Sequence, residues 1–329
     1  MHPSRALPIL AAMAISLALP LSAADIKIGI IGLDTSHVAA FTELLNNPAN
    51  AKHVPGGRVV AAFKGGSPDI PSSASRVEGY TRELQDRYQV KIVDSIESLC
   101  SEVDAVLLES VDGRPHLEQA RPIFRARKPV FIDKPIAGSL RDAVEIVRLA
   151  KESGVPCFSS SSYRFYESMQ ELKKADVGKL MSAVSYGPAE KEPHHPDLFW
   201  YGVHPVEGLF TVMGPGCQSV SRTASDATDV VVGMWSEGRT GTLLGLRTGA
   251  TPHKVIVFGS KSVAEQKGSG DYAPLVREIV QFFKSGKSPV SLDETLELFA
   301  FMEAADESKR QGGKPVAIAD VLKAAGQRP

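Results

Sequence analysis

The chain has 329 residues, which is enough for two domains with separate hydrophobic cores. Its 37 Lys and Arg residues almost balance 38 Asp and Glu residues, so the formal net charge is −1. With no basic stripe and no long run of charge, nucleic acids and anionic membrane surfaces are poor candidate partners. The three cysteines, Cys100, Cys157 and Cys217, are too few and too scattered for a disulfide framework. We expect them to be buried, with one possible pair and at least one free thiol.

Residues 1–24 have the layout of a secretory signal peptide. Arg5 precedes an apolar run from Ala6 to Leu21, and the small residues Ser22-Ala23-Ala24 form a cleavage site. The run is short and interrupted by prolines, so a membrane span is not expected and an uncleaved interfacial anchor is the less favoured alternative. We therefore expect the mature chain to begin at residue 25, in the periplasm or outside the cell.

Short apolar strands alternate with amphipathic helices up to residue 159. The strands are predicted at 26–31, 58–63, 91–93, 105–108, 130–132 and 155–159, and helices at 77–88, 95–100, 117–127 and 140–153, with a further helix after the first strand. This alternation is typical of a parallel, doubly wound α/β sheet that binds ligands at the carboxyl ends of its strands. It predicts a Rossmann-like dinucleotide-binding domain over residues 25–158.

Beyond residue 180 the predicted strands follow one another without helices between them. They lie at 180–186, 219–224, 229–236, 240–247 and 255–259, and two helices at 272–284 and 292–310 close the chain. This pattern predicts an open, mainly antiparallel sheet. Residues 159–329 would form a second, α+β domain for substrate binding and oligomerisation.

The turn after the first strand resembles a dinucleotide-binding loop that lacks two of its glycines. Counted from Gly32, the pattern G-x-G-x-x-G has Asp34 and His37 at its second and third glycine positions. A carboxylate is unfavourable at a helix N-terminus that binds a pyrophosphate, unless Asp34 turns away or a cation offsets its charge. Thr35 and Ser36 could donate hydroxyl groups to a cofactor there, or serve only as N-caps.

The second strand ends at Lys64 instead of the acidic residue that usually holds the ribose of NAD. A lysine at this position suits the 2′-phosphate of NADP. The equally favoured alternative is an ordinary solvated loop lysine.

The order of these elements and motifs resembles the Gfo/Idh/MocA family of oxidoreductases over essentially the whole mature chain. The matching motifs are Ser110-Val111-Asp112 with His116, Asp133-Lys134-Pro135 in place of Glu-Lys-Pro, Ser162-Tyr163-Arg164-Phe165, Val257-Phe258-Gly259-Ser260 and Glu303-Ala304 with Ser308. The resemblance implies an enzyme that transfers hydride between a sugar, polyol or derivative and NAD or NADP. It also suggests a homo-oligomer formed through the open sheet.

The resemblance implies that Lys134 and His204 flank the reacting carbon. A histidine can take the hydroxyl proton as hydride leaves, and a lysine can stabilise the developing charge on the oxygen. Glu207 would orient or charge His204. Trp200 stands where the family often has an aspartate, so the proton relay would be altered.

Substrate contacts are expected from Trp200, Tyr201 and Arg164. The two aromatic side chains could stack on a sugar ring or line a pocket, and their alternative is ordinary core packing.

The implied cofactor site comprises Gly29, Gly32, Asp34, Thr35, Ser36, His37, Lys64, Ser110, Asp112, His116 and Asp133. Glu109 stands where the family usually has a small residue near the nicotinamide. A second carboxylate at this point disfavours the usual mode of cofactor binding.

A competing set of residues could bind a divalent metal. His194, His195, His204 and Glu207 lie within one short stretch, partly in a proline-containing loop, although their spacing matches no established metal motif. A metal there could polarise a carbonyl or activate water. The alternative function is thus a redox-inactive family member that binds carbohydrate, or a lyase or hydrolase that uses a metal or acid–base catalysis.

Overall fold

The computed structural model describes residues 24–327. The signal peptide predicted over residues 1–24 therefore lies, except for its last residue, outside the described part of the chain. Within residues 24–327, no helix combines the length and the apolar character needed to cross a membrane.

The first sheet has six parallel strands in the order β3-β2-β1-β4-β5-β6. They are β1 (Ile26–Ile31), β2 (Gly57–Phe63), β3 (Lys91–Val93), β4 (Ala105–Leu108), β5 (Val130–Ile132) and β6 (Cys157–Ser159). The helices between them are α1 (Ser36–Asn46), α2 (Pro71–Ala74), α3 (Val77–Tyr88), α4 (Ile96–Glu102), α5 (His116–Arg125) and α6 (Leu140–Ser153). This is the predicted doubly wound arrangement. Its central strands are apolar without alternation because helices cover both faces.

The strand order reverses direction between β1 and β4. At such a switch point the connections leave to opposite sides, and a crevice opens at the carboxyl ends of the two strands. The turn at Gly32, Glu109 after β4 and Asp133 after β5 are therefore brought to one edge of the sheet.

The second sheet has seven strands in the order β12-β11-β7-β10-β9-β8-β13. Its strands are β7 (Leu180–Pro188), β8 (Cys217–Ala224), β9 (Thr228–Trp235), β10 (Thr240–Leu246), β11 (Lys254–Gly259), β12 (Val263–Glu265) and β13 (Val316–Ala317). Only the β7–β10 pair among these is parallel, so the sheet is mixed and mainly antiparallel, as predicted. The remaining helices are α7 (Glu167–Lys173), α8 (Val203–Met213), α9 (Ala273–Ser285), α10 (Leu292–Arg310) and α11 (Ile318–Ala324), with short 3-10 turns at Ser162–Phe165 and Ser236–Gly238.

Helix α8 was not expected from the sequence, although it carries His204 and Glu207. Nearly all of its residues are buried, so it lacks the polar face that makes a helical period visible. Pro205 lies in its first turn, where proline is tolerated because those N–H groups have no partner within the helix. The helix packs against β7 and β10 and presents its N-terminal end to the first domain.

Helix α9 follows the second sheet in sequence but packs on the first domain. Val276 and Ile279 share a hydrophobic cluster with Ile28 and Phe41. Just before α9, Tyr272 reaches the start of α1, with its ring centroid 4.8 Å from that of His37. The chain thus returns to close one side of the crevice.

The three cysteines are buried, as expected, and all are unpaired. They lie in α4, β6 and β8, in separate parts of the two domains. The possible disulfide pair does not form.

The outward face of the second sheet is apolar and uncovered. Val230 is 40 % exposed and Met234 is 42 % exposed. Val230 pairs across the strands with Leu244, and Leu244 pairs with Tyr186, so one apolar row crosses three strands. Exposed apolar rows of this kind are common at interfaces between proteins.

The homo-oligomer that the resemblance implies would use this face. In that case the paired substitution Val230→Glu and Met234→Glu should dissociate it into monomers, because charge would then be buried at this face. Light scattering coupled to size-exclusion chromatography measures the change. Gln85→Glu combined with Gln281→Glu adds the same two charges at exposed positions of α3 and α9 and should leave the mass unchanged. A monomeric wild type, or an oligomer that survives the double substitution, would contradict this use of the sheet.

Candidate functional site

A cavity of about 360 Å³ opens at the carboxyl edge of the first sheet. Thr35 and Lys134 line it from the first domain, and Trp200, Tyr201 and His204 line it from the second. Its volume is in the range of small-molecule sites. The predicted catalytic lysine and histidine therefore face the same space.

Lys134 is half-buried directly after β5, and its bond to Pro135 is a cis peptide. Its Nζ lies 5.8 Å from the ring centroid of Tyr201. Burial lowers the pKa of Lys134, while the neighbouring carboxyl groups of Asp133 and Glu109 oppose that change. The lysine is thus placed to donate a hydrogen bond into the cavity.

His204 stands at the first turn of α8, where Nδ1 lies 2.7 Å from Oγ of Ser161. The same Ser161 oxygen accepts a hydrogen bond from the N–H of Tyr163, which fixes the hydroxyl group. Burial lowers the pKa of His204 well below its usual value, and the positive charge of Lys134 lowers it further. The imidazole is therefore neutral near pH 7 and can accept a proton.

Glu207 and Arg164 do not take the positions expected of them. The Glu207 carboxylate pairs with the Arg164 guanidinium and accepts a hydrogen bond from Ser160 at 3.0 Å, and it makes no bond to His204. Arg164 also pairs with Glu294 at 2.7 Å. Both residues are buried, where a charged group needs a partner, so the two charges satisfy each other. Ser161, which the sequence did not indicate, is the residue that orients His204.

Aromatic side chains form much of the cavity wall. Trp200 and Tyr201 line it, as predicted, and are not packed in the core. Tyr163, Tyr166 and Tyr272 also line it and were not expected there. They come from segments distant in sequence, and nothing in their local sequence distinguishes them from core tyrosines.

The Asp34 carboxyl group turns away from the cavity. It is fully buried, accepts a hydrogen bond from the Ser73 hydroxyl at 2.6 Å, and accepts another from the N–H of Val111 at 3.0 Å. Burial raises the pKa of Asp34, which favours the uncharged form. The helix α2, which carries Ser73, thus packs over the loop and removes the carboxylate from the start of α1.

The predicted cofactor glycines have structural roles. Gly32 has a φ of +90°, and a Cβ there would lie 2.3 Å from the backbone nitrogen of Ser110. Gly29 lies inside β1, where a Cβ would come within 2.9 Å of Leu99 on α4. Both glycines therefore permit close packing within the domain.

Several other predicted cofactor residues also hold parts of the protein together. Lys64 pairs with Glu78 on α3 at 2.9 Å, and both side chains are exposed. The Ser110 hydroxyl donates to Gln119 at 3.0 Å. His116 is fully buried and its two ring nitrogens bond to the backbone oxygens of Ser110 and Ile136.

Asp112 is buried and bonded on several sides. It accepts hydrogen bonds from Ser67 and Arg114, and lies 3.1 Å from Nε2 of His195. Of the predicted cofactor set, the residues that line the cavity are Thr35, Ser36 and His37.

His37, Asp133 and Glu109 form a buried cluster against the cavity. Nδ1 of His37 lies 2.6 Å from an Asp133 oxygen and 3.8 Å from a Glu109 oxygen. Burial, and then the negative charge of Asp133, raise the pKa of Glu109 well above its usual value. Burial also acts to raise the pKa of Asp133, but the charge and hydrogen bond of His37 outweigh it and hold that pKa low.

The four residues of the alternative metal site do not meet at one point. His194 bonds to Glu192 at 2.7 Å, and His195 lies between Glu192 and Asp112. Glu207 pairs with Arg164, and His204 bonds to Ser161. Because each side chain has a different partner, these four residues of the alternative hypothesis do not form a single site in this structure. Among residues 24–327, the histidine and carboxyl groups whose ligand atoms approach within 4.8 Å of one another are those of His37, Glu109 and Asp133.

Comparison with known proteins relates the first domain to a known family. The sequence model described as "Oxidoreductase family, NAD-binding Rossmann fold" matches residues 26–161. The chain is 30 % identical over 114 residues to 2,7-anhydro-N-acetylneuraminate hydratase of Escherichia coli, which covers 32 % of this chain and 28 % of that one. It is 32 % identical over 110 residues to 1,5-anhydro-D-fructose reductase of Ensifer adhaerens, covering 32 % and 33 %. The chain thus spans about a third of the length of these curated relatives.

Solved structures resemble nearly the whole chain. Scyllo-inositol dehydrogenase from Lactobacillus casei, with bound NAD(H) and scyllo-inositol, has a TM-score of 0.73 at 14 % identity over 90 % of this chain and 100 % of that one. Myo-inositol 2-dehydrogenase from Lactobacillus plantarum has a TM-score of 0.73 at 18 % identity over 89 % and 99 %. These likenesses show the two-domain fold. Residues 26–161 thus match the model of an oxidoreductase family with an NAD-binding Rossmann fold, in agreement with the resemblance of the motif order to the Gfo/Idh/MocA family.

Proposed function

We propose that the protein is an oxidoreductase that transfers hydride between a sugar, polyol or derivative and a nicotinamide dinucleotide. The observation that carries this proposal is the meeting of Lys134 and His204, one from each domain, at a single cavity in a fold of this family. The similar proteins include a reductase of an anhydro sugar and two inositol dehydrogenases. This supports a polyol or sugar as the substrate class.

The start of α1 fits the phosphates of such a cofactor. Thr35 caps the helix and, with Ser36, lines the cavity, and the N–H groups of a first helical turn have no partner within the helix. Arg76 lines the same cavity and adds a positive charge. The Asp34 carboxyl group, which would oppose a phosphate, is bonded elsewhere. Thr35, Ser36 and Arg76 would therefore hold the phosphates, and the bound nicotinamide would supply the hydride acceptor or donor.

The protein's own residues account for the proton chemistry. Neutral His204 takes the proton from the substrate hydroxyl group, with Ser161 holding the ring in place. The Lys134 ammonium group donates a hydrogen bond to the same oxygen and stabilises the charge that develops there. The rings of Trp200 and Tyr201 cover the apolar face of the substrate and exclude water.

We expect Lys134→Met to lower kcat/KM by about 10²- to 10⁴-fold, because stabilisation of the reacting oxygen is lost. The measurement is formation of reduced nicotinamide with a panel of sugars and polyols, using NAD and NADP. Lys91→Met is the matched control, since Lys91 is exposed at the sheet edge and pairs with Glu102. Turnover that is unchanged in Lys134→Met would exclude the proposed role of this lysine.

We expect His204 to be neutral at the pH where an ordinary histidine is half protonated, because burial and Lys134 hold its pKa well below the usual value of about 6.5. Nitrogen NMR of histidine-labelled protein, assigned with His204→Asn, reports the protonation state of the ring. The unfolded protein in urea provides the reference and should titrate near the usual value. Protonation of His204 near pH 6.5 in the folded protein would mean that the ring is solvated and does not feel the charge of Lys134, which would contradict this account.

A redox-inactive lyase or hydrolase is the second candidate function. It is favoured by the side chains of Asp34 and His37 at two glycine positions of the dinucleotide loop, and one relative of the first domain is named a hydratase. Titration of the four forms NAD, NADH, NADP and NADPH separates the two proposals. Binding of at least one form supports the oxidoreductase, whereas failure of all four to bind supports the second candidate.

A further inference from the structure

We propose that His37, Glu109 and Asp133 form a binding site for one divalent metal ion at the wall of the cavity. The three side chains come from the start of α1 and from the ends of β4 and β5. One ligand atom from each lies within 4.8 Å of the other two. An imidazole and two carboxylates are ligands that suit Zn²⁺ or Mn²⁺.

The position of Glu109 points to a ligand. Its side chain is fully buried, and no hydrogen-bond donor group of the described residues other than a neighbouring carboxyl group reaches its carboxyl oxygens. Burying a polar group with so few partners is unfavourable, so the arrangement indicates a missing ligand. The Glu109 carboxyl group is directed into the cluster, 3.8 Å from Nδ1 of His37. A metal ion in the cluster would bind these oxygens.

The rest of the cluster is already held in place. The His37 ring stacks on Phe41 with centroids 5.4 Å apart, and Tyr272 packs against its edge. The other carboxyl oxygen of Asp133 accepts a hydrogen bond from the N–H of Lys134 at 2.8 Å. In metal sites of proteins, packing and hydrogen bonds of this kind hold the ligand side chains in their orientation.

The cluster is accessible from the cavity. His37 lines the cavity, so an ion bound to it is open to a hydroxyl or carbonyl oxygen of a bound molecule. Three protein ligands with an open position are typical of metal sites that act on a substrate. This proposal goes beyond the oxidoreductase function and does not depend on it.

The test measures metal binding by the chain from residue 25 to residue 329 after treatment with a chelator. Calorimetric titration with Zn²⁺ and Mn²⁺, with elemental analysis of the dialysed protein, should give one ion per chain. Glu109→Gln keeps the size of the side chain but removes its charge, and should weaken binding about tenfold or more. His195→Gln is the matched control, since His195 is also buried between two carboxylates but outside the cluster.

A spectroscopic measurement identifies the ligand even if Glu109→Gln fails to fold. Electron spin-echo spectra of bound Mn²⁺ should show a histidine nitrogen that disappears in His37→Gln and persists in His195→Gln. Absence of stoichiometric binding, or equal affinity in a folded Glu109→Gln protein, would overturn the proposal. Loss of the nitrogen signal in His195→Gln instead would also overturn it. These experiments measure bound metal and not enzyme activity. Their result is therefore independent of whether the protein binds a nicotinamide dinucleotide.

Discussion

Burial of charge at the carboxyl edge of the parallel sheet constrains the whole site. Asp34, Glu109 and Asp133 follow three adjacent strands and are almost completely removed from solvent. Each isolated buried carboxylate would be costly, so the surrounding chain must supply hydrogen bonds, cations or protons. For Asp34 these come from α2 and the turn after β4, and for Asp133 they come from His37 and the backbone of Lys134.

The same constraint places the two walls of the cavity. Lys134 follows Asp133 directly, so the bond between Asp133 and His37 fixes the segment that presents the lysine. Across the cavity, the pair formed by Glu207 and Arg164 anchors α8, and the adjacent turn of that helix presents His204. Buried side-chain pairs on both sides thus determine where Lys134 and His204 stand.

Much of the fold follows from local sequence pattern. The predicted bounds of β1, α3, β4, β5, α6 and α10 are the observed ones, because each has a clear apolar period with capping or turn residues at its ends. Helix α8 could not be predicted in this way, since burial on nearly all sides hides its period. The short helix α2 depends on its packing over the Asp34 loop, which is a tertiary contact.

Less of the site than of the fold could be predicted from the sequence. The resemblance to the family identified Lys134 and His204, and both face the cavity. The partner of Glu207 could not be predicted, because several cations were available and the choice depends on which one is buried beside it. The approach of Tyr272 to His37 depends on the return of α9 to the first domain. Such long-range contacts leave no periodic trace in the sequence.

The most direct test of the account follows hydrogen through one turnover. A substrate found with the panel would carry deuterium on the carbon that bears the reacting hydroxyl group. The account predicts one deuterium on the reduced nicotinamide for each molecule of substrate oxidised, with the hydroxyl proton released through His204. Conversion of the substrate with deuterium lost to water or kept in the product, and with no reduced nicotinamide, would contradict it.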